Sequence, residues 1–154
     1  MDIKSGCGYP GNQLTNFAVH PFEFDGVGVA GMEGLLQSFK FDKPHIQESV
    51  CELYGFAAKK RGSARNKAWK QKQTLWWKGV AYKRDSKEYQ ELLDRAFLAM
   101  ARHSESFRKA LIATGDANIT HSIGKNKEAD TVLTEAEFCR RLHWLRDLIK
   151  NEKL

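Results

Sequence analysis

Glu33, Gln37 and Lys40 recur at i, i+4 and i+7, and at about 100° per residue they share one flank of a helix. Met32, Leu35, Leu36 and Phe39 form the neighbouring apolar face at i, i+3, i+4 and i+7. A carboxylate half-sheltered by Met32 and Leu36 is poised as a general base, and Lys40 keeps it ionised. The same spacing also describes an ordinary surface trio, which contributes little. Spacing alone leaves both readings open.

A second concentration of chemistry lies further on. Residues 59–84, KKRGSARNKAWKQKQTLWWKGVAYKR, hold ten of the chain's 25 basic residues and no acid. The remainder then carries 15 basic against 19 acidic residues, so the formal charge of +6 belongs to this one segment. Trp69, Trp76, Trp77 and Tyr82 sit among these charges. Flat π faces beside cations suit a phosphate-bearing ligand with a ring to stack, either a nucleotide or a nucleic acid. The plain alternative is a solvated basic loop whose tryptophans dock on the core. Two adjacent tryptophans do not fit one buried helical face, which favours a site.

Other motifs carry less. Gly26, Gly28 and Gly31 match G-x-G-x-x-G, but a dinucleotide fingerprint needs a βαβ unit with an acid on a second strand. The region where that strand would fall, residues 46–60, has helical period, so these glycines are expected to serve a turn and close backbone approach. Cys139 and His143 share a helical face without a third ligand nearby, which points to packing rather than a metal. The three cysteines, Cys7, Cys51 and Cys139, are too scattered for a disulfide framework.

The elements that must position these residues follow from pattern. Phe22-Glu23-Phe24, Asp25-Gly26 and Val27-Gly28-Val29 read as a short hairpin, since Asp-Gly supplies the positive φ of a primed turn. One helix is predicted from Met32, and another from Pro44 with Ile46, Val50, Leu53, Tyr54 and Ala57 in period. Asp85 with Glu88, and Thr134 with Glu137, read as capping boxes opening two longer helices. Between them, Ser104 caps a shorter helix that Gly115 ends. Residues 116–133 are polar and read as a long loop, of the kind that often carries function. The expected fold is an α-rich α+β single domain over residues 1–154, a short N-terminal β-hairpin followed by about five helices.

At 154 residues with 42% apolar and 29% charged composition, the chain suits one globular domain. Its mean hydropathy of −0.56 and lack of a long apolar run exclude a membrane span. The opening MDIKSGCGYPGNQ lacks a basic-then-apolar signal pattern, so a reduced, cytoplasmic location is expected.

Several stretches, taken in order, resemble the NADAR family. Leu14-Thr15-Asn16-Phe17, then Pro21-Phe22 and Asp25-Gly26, is similar to its S-N-F…P-F…D-G opening. Glu33 before Leu36-Gln37-Ser38-Phe39-Lys40-Phe41 resembles its E…Q-A-x-K-F helix. Lys109 to Gly115 with Ile119-Thr120-His121-Ser122, and the ending Thr131-Val-Leu-Thr134-Glu135-Ala-Glu-Phe-Cys139, resemble its later segments. The likeness covers roughly residues 12–150. Met32 and Gly34 depart from the family's residues around the glutamate, and Ser122-Ile-Gly-Lys125 stands where many members have Trp-Gly-x-Gly.

The resemblance implies a NADAR-like domain linked to NAD and ADP-ribose metabolism that cleaves N-glycosidic bonds. Substrates in the family include ADP-ribosylated guanine and ribosylamine intermediates of riboflavin synthesis. It further implies Glu33 as the catalytic carboxylate and Lys40 as its partner, with Asn16 and Phe17 at the substrate. On this reading Arg65 and Arg84 of the basic segment clamp phosphate, and Trp77 or Tyr82 stacks on the base. Gln37, His121, Thr134 and Glu135 complete the expected contacts. Neither metal nor cofactor is required, and the partner is a nucleotide or ADP-ribose-type small molecule, free or on an ADP-ribosylated nucleic acid. A non-catalytic nucleotide or nucleic-acid binder built on residues 59–84 is the alternative.

Overall fold

A computed structural model describes all of residues 1–154. The chain opens with a two-stranded antiparallel hairpin, β1 (Phe22–Phe24) and β2 (Val27–Val29), in register Phe22↔Val29. Asp25 and Gly26 take φ of 49° and 82°, the paired left-handed conformation of a primed turn. Phe22, Phe24, Val27 and Val29 face inward, while Glu23 and Gly28 face out. Gly31 then opens the first helix, and a Cβ there would lie 2.8 Å from the Ala18 carbonyl. Gly26 thus serves the turn and Gly31 the close approach, as expected, whereas Gly28 lies exposed within β2 and does neither.

Three short helices follow, α1 (Met32–Ser38), α2 (Pro44–Cys51) and α3 (Gly55–Ser63). The single helix predicted through Ala57 is therefore two. The chain breaks after Cys51, and Gly55 adopts φ of 56°, a conformation that L side chains resist. Tyr54 consequently leaves the apolar face and points to solvent. Gly34 and Gly62 let the backbones meet closely: a Cβ on Gly34 would collide with the Leu53 carbonyl, and one on Gly62 with the Gln37 side chain.

The basic segment divides among the end of α3, α4 (Asn66–Lys72) and a second hairpin, β3 (Thr74–Trp77) with β4 (Val80–Lys83). Composition there gave no clear strand signal. Side chains alternate across a strand, so Trp77 is buried while Trp76 lies half out. That alternation answers how two adjacent tryptophans can flank a core without sharing a helical face. Lys78 and Gly79, at φ of 48° and 85°, make the turn.

Helix α5 (Lys87–His103) runs through the middle of the domain, with α6 (Glu105–Ala113) and α7 (Glu135–Lys150) against it. Leu92, Leu93, Ala96, Phe97 and Met100 form its buried stripe, as the period predicts. Ser86, not Asp85, caps it, accepting from the Tyr89 N–H at 3.1 Å. Ser104 caps α6 and Gly115, at φ of 61°, follows its end. Thr134 and Glu137 make the full reciprocal capping box on α7. Seven helices and two small hairpins surround one continuous apolar core, an α+β single domain with more elements than the pattern foretold. None of the helices is long and apolar enough to cross a membrane.

Candidate functional site

Helix α1 carries the chemistry because both its ends are fixed by distant backbone. At its start the Glu33 N–H donates to the Asn16 carbonyl at 3.1 Å. At its end the Phe39 carbonyl accepts from the Trp76 N–H of β3 at 2.8 Å. Glu33 therefore stands one turn from Gln37, whose amide donates to its Oε1 at 2.9 Å. Lys40 is 6% exposed, and its ammonium donates to Asn66 Oδ1 on α4 at 2.7 Å.

These groups open onto a cavity of about 410 Å³, a volume within the range that holds small ligands. The wall opposite α1 comes from residues 121–125 and 130–134, together with Phe138 of α7. His121 is held there with its Nδ1 2.8 Å from the Ile3 carbonyl and its ring edge-on to Phe138 at 5.3 Å. Since a carbonyl only accepts, Nδ1 is the donor in this contact. Trp69 forms part of the floor. Its indole N–H and the Asn16 amide oxygen are buried without hydrogen-bond partners. An unpartnered buried donor and acceptor at one cavity are what a polar ligand would satisfy.

The electrostatics are those of groups taken out of water. Burial pushes the Glu33 carboxyl above its ordinary value, although the Gln37 hydrogen bond and nearby Lys40, Lys59 and His121 pull the other way. Burial also brings the Lys40 ammonium down to about 8, against the support of Glu33 and with added repulsion from Lys70, Lys125 and Lys59. An acid raised and a cation lowered in one cleft are the pattern of acid–base machinery.

The structure brings Glu33, Lys40, Gln37, Asn16, Phe17 and His121 together around this cavity. Thr134 also lines it, but as the cap of α7, with its hydroxyl engaged by the Glu137 N–H at 3.1 Å. Other expected contacts lie elsewhere. Trp77 is 2% exposed, stacked on Phe24 at 5.4 Å, and its N–H donates to Asp25 at 2.8 Å. It is a core residue. Tyr82, half-buried on β4, packs against the core outside the cavity.

Arg84 is buried and grips Glu137 with two hydrogen bonds, at 2.7 and 3.1 Å. Its Nε donates to the Thr131 carbonyl at 2.8 Å, and the buried side chain does not line the cavity, so it is not placed to clamp a phosphate there. Arg65 stays outside as well, with its guanidinium 5.9 Å from the Phe41 ring centre and its Nε donating to the Lys40 carbonyl at 3.2 Å. It steadies the backbone that carries Lys40. Glu135 acts likewise, accepting from the His121 N–H at 3.3 Å.

Asn66, Trp69, Lys59 and Lys125 are cavity residues that the sequence pattern did not single out individually. Trp69 and Lys59 fell within the basic, aromatic stretch that drew notice. The contact of Asn66 with Lys40 spans 26 residues, and no local pattern announces it.

Three comparisons bear on this geometry. The family described as Bacteriophage protein GP30.3 matches residues 8–147. An enterobacteria phage T4 protein, described as an uncharacterized 17.1 kDa protein in the Gp30-rIII intergenic region, is 38% identical over 149 residues, covering 96% of this chain and 97% of its own. Among solved structures, the NMR structure of the E. coli protein YbiA is similar with a TM-score of 0.65 at 18% identity, covering 99% of this chain and 86% of that one. At that identity the likeness is one of fold, and it supports the NADAR-like architecture.

Proposed function

Since the chain belongs to the Bacteriophage protein GP30.3 family and has a NADAR-like fold, we propose that it is an N-glycosidase-type hydrolase. The reaction is cleavage of a ribose C1′–N bond in an ADP-ribose-type nucleotide, such as ADP-ribosylated guanine, or in a ribosylamine. The observation that carries this reading is that the half-buried Glu33 carboxylate and the buried Lys40 ammonium line one ligand-sized cavity.

Breaking a C1′–N bond builds positive charge on the ribose. A carboxylate in a dry cleft stabilises that charge and takes a proton from the attacking water. Glu33 performs both tasks, held in orientation by Gln37. Its raised pKa brings the base nearer the working pH, where general catalysis is most efficient. Lys40, held by Asn66, binds ribose oxygens or phosphate as an ammonium. Asn16 and the Trp69 N–H supply the acceptor and donor that lack partners.

A lysine lowered to about 8 supports a second role. Its neutral amine can add to C1′ of a ring-opened ribosyl imine, expelling the original amine and leaving a C1′=Nζ iminium. Water then releases the sugar aldehyde and regenerates the amine. The two roles respond oppositely to pH. An ammonium that binds substrate predicts KM rising as pH climbs through about 8, whereas an attacking amine predicts kcat rising over the same interval. We expect the KM effect, with Lys40→Ala weakening binding. A lysine adduct trapped by borohydride during turnover would assign the covalent role instead.

Salt dependence separates this reading from a nucleic-acid surface. Only part of the basic segment turns to the cavity, through Lys59, Ser63, Asn66 and Trp69. Log K should therefore fall with log salt by a shallow slope, equivalent to about one or two contacts at roughly 0.7 per phosphate. A steep slope with tight binding to oligonucleotides lacking ADP-ribose would favour a binding protein.

A further inference from the structure

We infer that the cavity continues onto an aromatic platform formed by Tyr54 and Phe56, and that this platform stacks the distal ring of a nucleoside diphosphate sugar whose reacting ribose lies at Glu33. The inference rests on the N-glycosidase reading and narrows its substrate class, because a single-ring ribosylamine has no second ring to place there.

Tyr54 and Phe56 are 54% and 70% exposed. Two large aromatic side chains two residues apart thus present much of their apolar surface to solvent. They line a second depression together with Phe17, and Phe17 also lines the Glu33 cavity. The two hollows thus lie on either side of one shared ring. The backbone fixes this juxtaposition. Gly34, the residue after Glu33, lacks the Cβ that would collide with the Leu53 carbonyl, so the 52–54 turn rests directly on α1. Gly55, at φ of 56°, then turns Phe56 onto the start of α3.

The spacing along α3 orders the ligand. Phe56, Lys59 and Ser63 fall at i, i+3 and i+7, on one side of the helix. Phe56 lines the outer depression, and Lys59 and Ser63 line the cavity. A cation between an aromatic platform and a ribose-cleaving carboxylate is the order base, diphosphate, ribose. Glu52 is the only charged residue at the outer depression. An acceptor-only carboxylate suits a ring bearing an amino group and repels phosphate, which leaves the diphosphate to Lys59.

Equilibrium binding of ADP-ribose and of ribose 5-phosphate to the full chain tests this, in wild type and in a Tyr54→Ala, Phe56→Ala double variant. A short oligothymidylate serves as the third probe. The double variant is expected to bind ADP-ribose about tenfold or more weakly, the usual effect of losing a stacking contact. Its affinity for ribose 5-phosphate should match wild type. Unchanged ADP-ribose affinity overturns the platform, as does an equal loss for both small ligands, which would mean that the substitutions disturb the cavity itself. A loss confined to oligothymidylate overturns it too, assigning the aromatics to a nucleic-acid strand. All three outcomes leave the Glu33 reading standing, whereas a wild type that binds neither ADP-ribose nor ribose 5-phosphate overturns both.

Discussion

Glu33→Gln is expected to lower turnover by roughly 10²–10⁴-fold, the usual weight of a general base, while fold and ligand binding stay near wild type. The substitution keeps the shape of the side chain, and the new amide oxygen can still accept from Gln37, as Oε1 does at 2.9 Å. What disappears is the negative charge that meets the developing ribose cation. The wild-type pH profile should show an acid limb above the ordinary carboxylate range, because burial raises the Glu33 pKa. Activity is present when Glu33 is ionised and lost as pH falls through that raised value. The Gln variant should lack this limb. It should also hold Lys40 below about 8, since Glu33 supports the Lys40 charge. Near-wild-type turnover in the variant would remove Glu33 from the chemistry.

Arg84→Ala should strongly destabilise the fold. Arg84 is 1% exposed, and its guanidinium meets both oxygens of Glu137 at 2.7 and 3.1 Å. Glu137 also caps α7 by accepting from the Thr134 N–H at 2.7 Å. Removing the arginine strands a buried carboxylate, a change that typically costs about 3–5 kcal/mol. At roughly 2–4 °C per kcal/mol for a domain of this size, Tm should fall by about 6–20 °C.

The pH dependence has a definite sign. Desolvation opposes the charge of Glu137, but the Arg84, Thr134 and Gln90 contacts together hold its carboxyl below the ordinary value. The stability this pair contributes is therefore present above the unfolded carboxylate pKa and lost as pH falls through the lowered one. In Arg84→Ala the stranded carboxylate can take up a proton in acid, so the gap to wild type should narrow there. Thermal melts at neutral and acidic pH check this. A Tm within about 2 °C of wild type, by the same scaling, would show that the pair contributes little to stability.

These two residues mark what could and could not be read from the chain. The shared flank of Glu33 and Lys40 is legible from helical period, though only the family resemblance lifts them above an ordinary surface trio, and the hairpin is legible because Asp25-Gly26 needs its special backbone. The α7 capping box was equally visible, since its two partners lie three residues apart. Arg84 was misjudged as a ligand clamp. Its partner Glu137 lies 53 residues away, and nothing local distinguishes an arginine bound for a buried carboxylate from one bound for phosphate.

Trp77 was misjudged for a related reason. The segment's composition carries no strand signal, and only the strand alternation of β3 with β4 turns Trp77 inward and leaves Trp76 half out. The far wall of the cavity joins residues near 121 and 131 to α1 through tertiary packing alone. A one-residue error, Asp85 for Ser86 as the cap of α5, shows how evenly matched neighbouring cap residues are.

The central claim is that the cavity around Glu33 hydrolyses a ribose C1′–N bond. Its most direct test is a mass-resolved assay of wild type and Glu33→Gln, side by side, on a guanine-ADP-ribosylated oligonucleotide and on a ribosylamine. Wild type is expected to release the free sugar moiety and the free base or amine from at least one of these, with the variant binding the same substrate and leaving it intact. Both substrates passing through wild type unchanged, or wild type and variant cleaving alike, would contradict it.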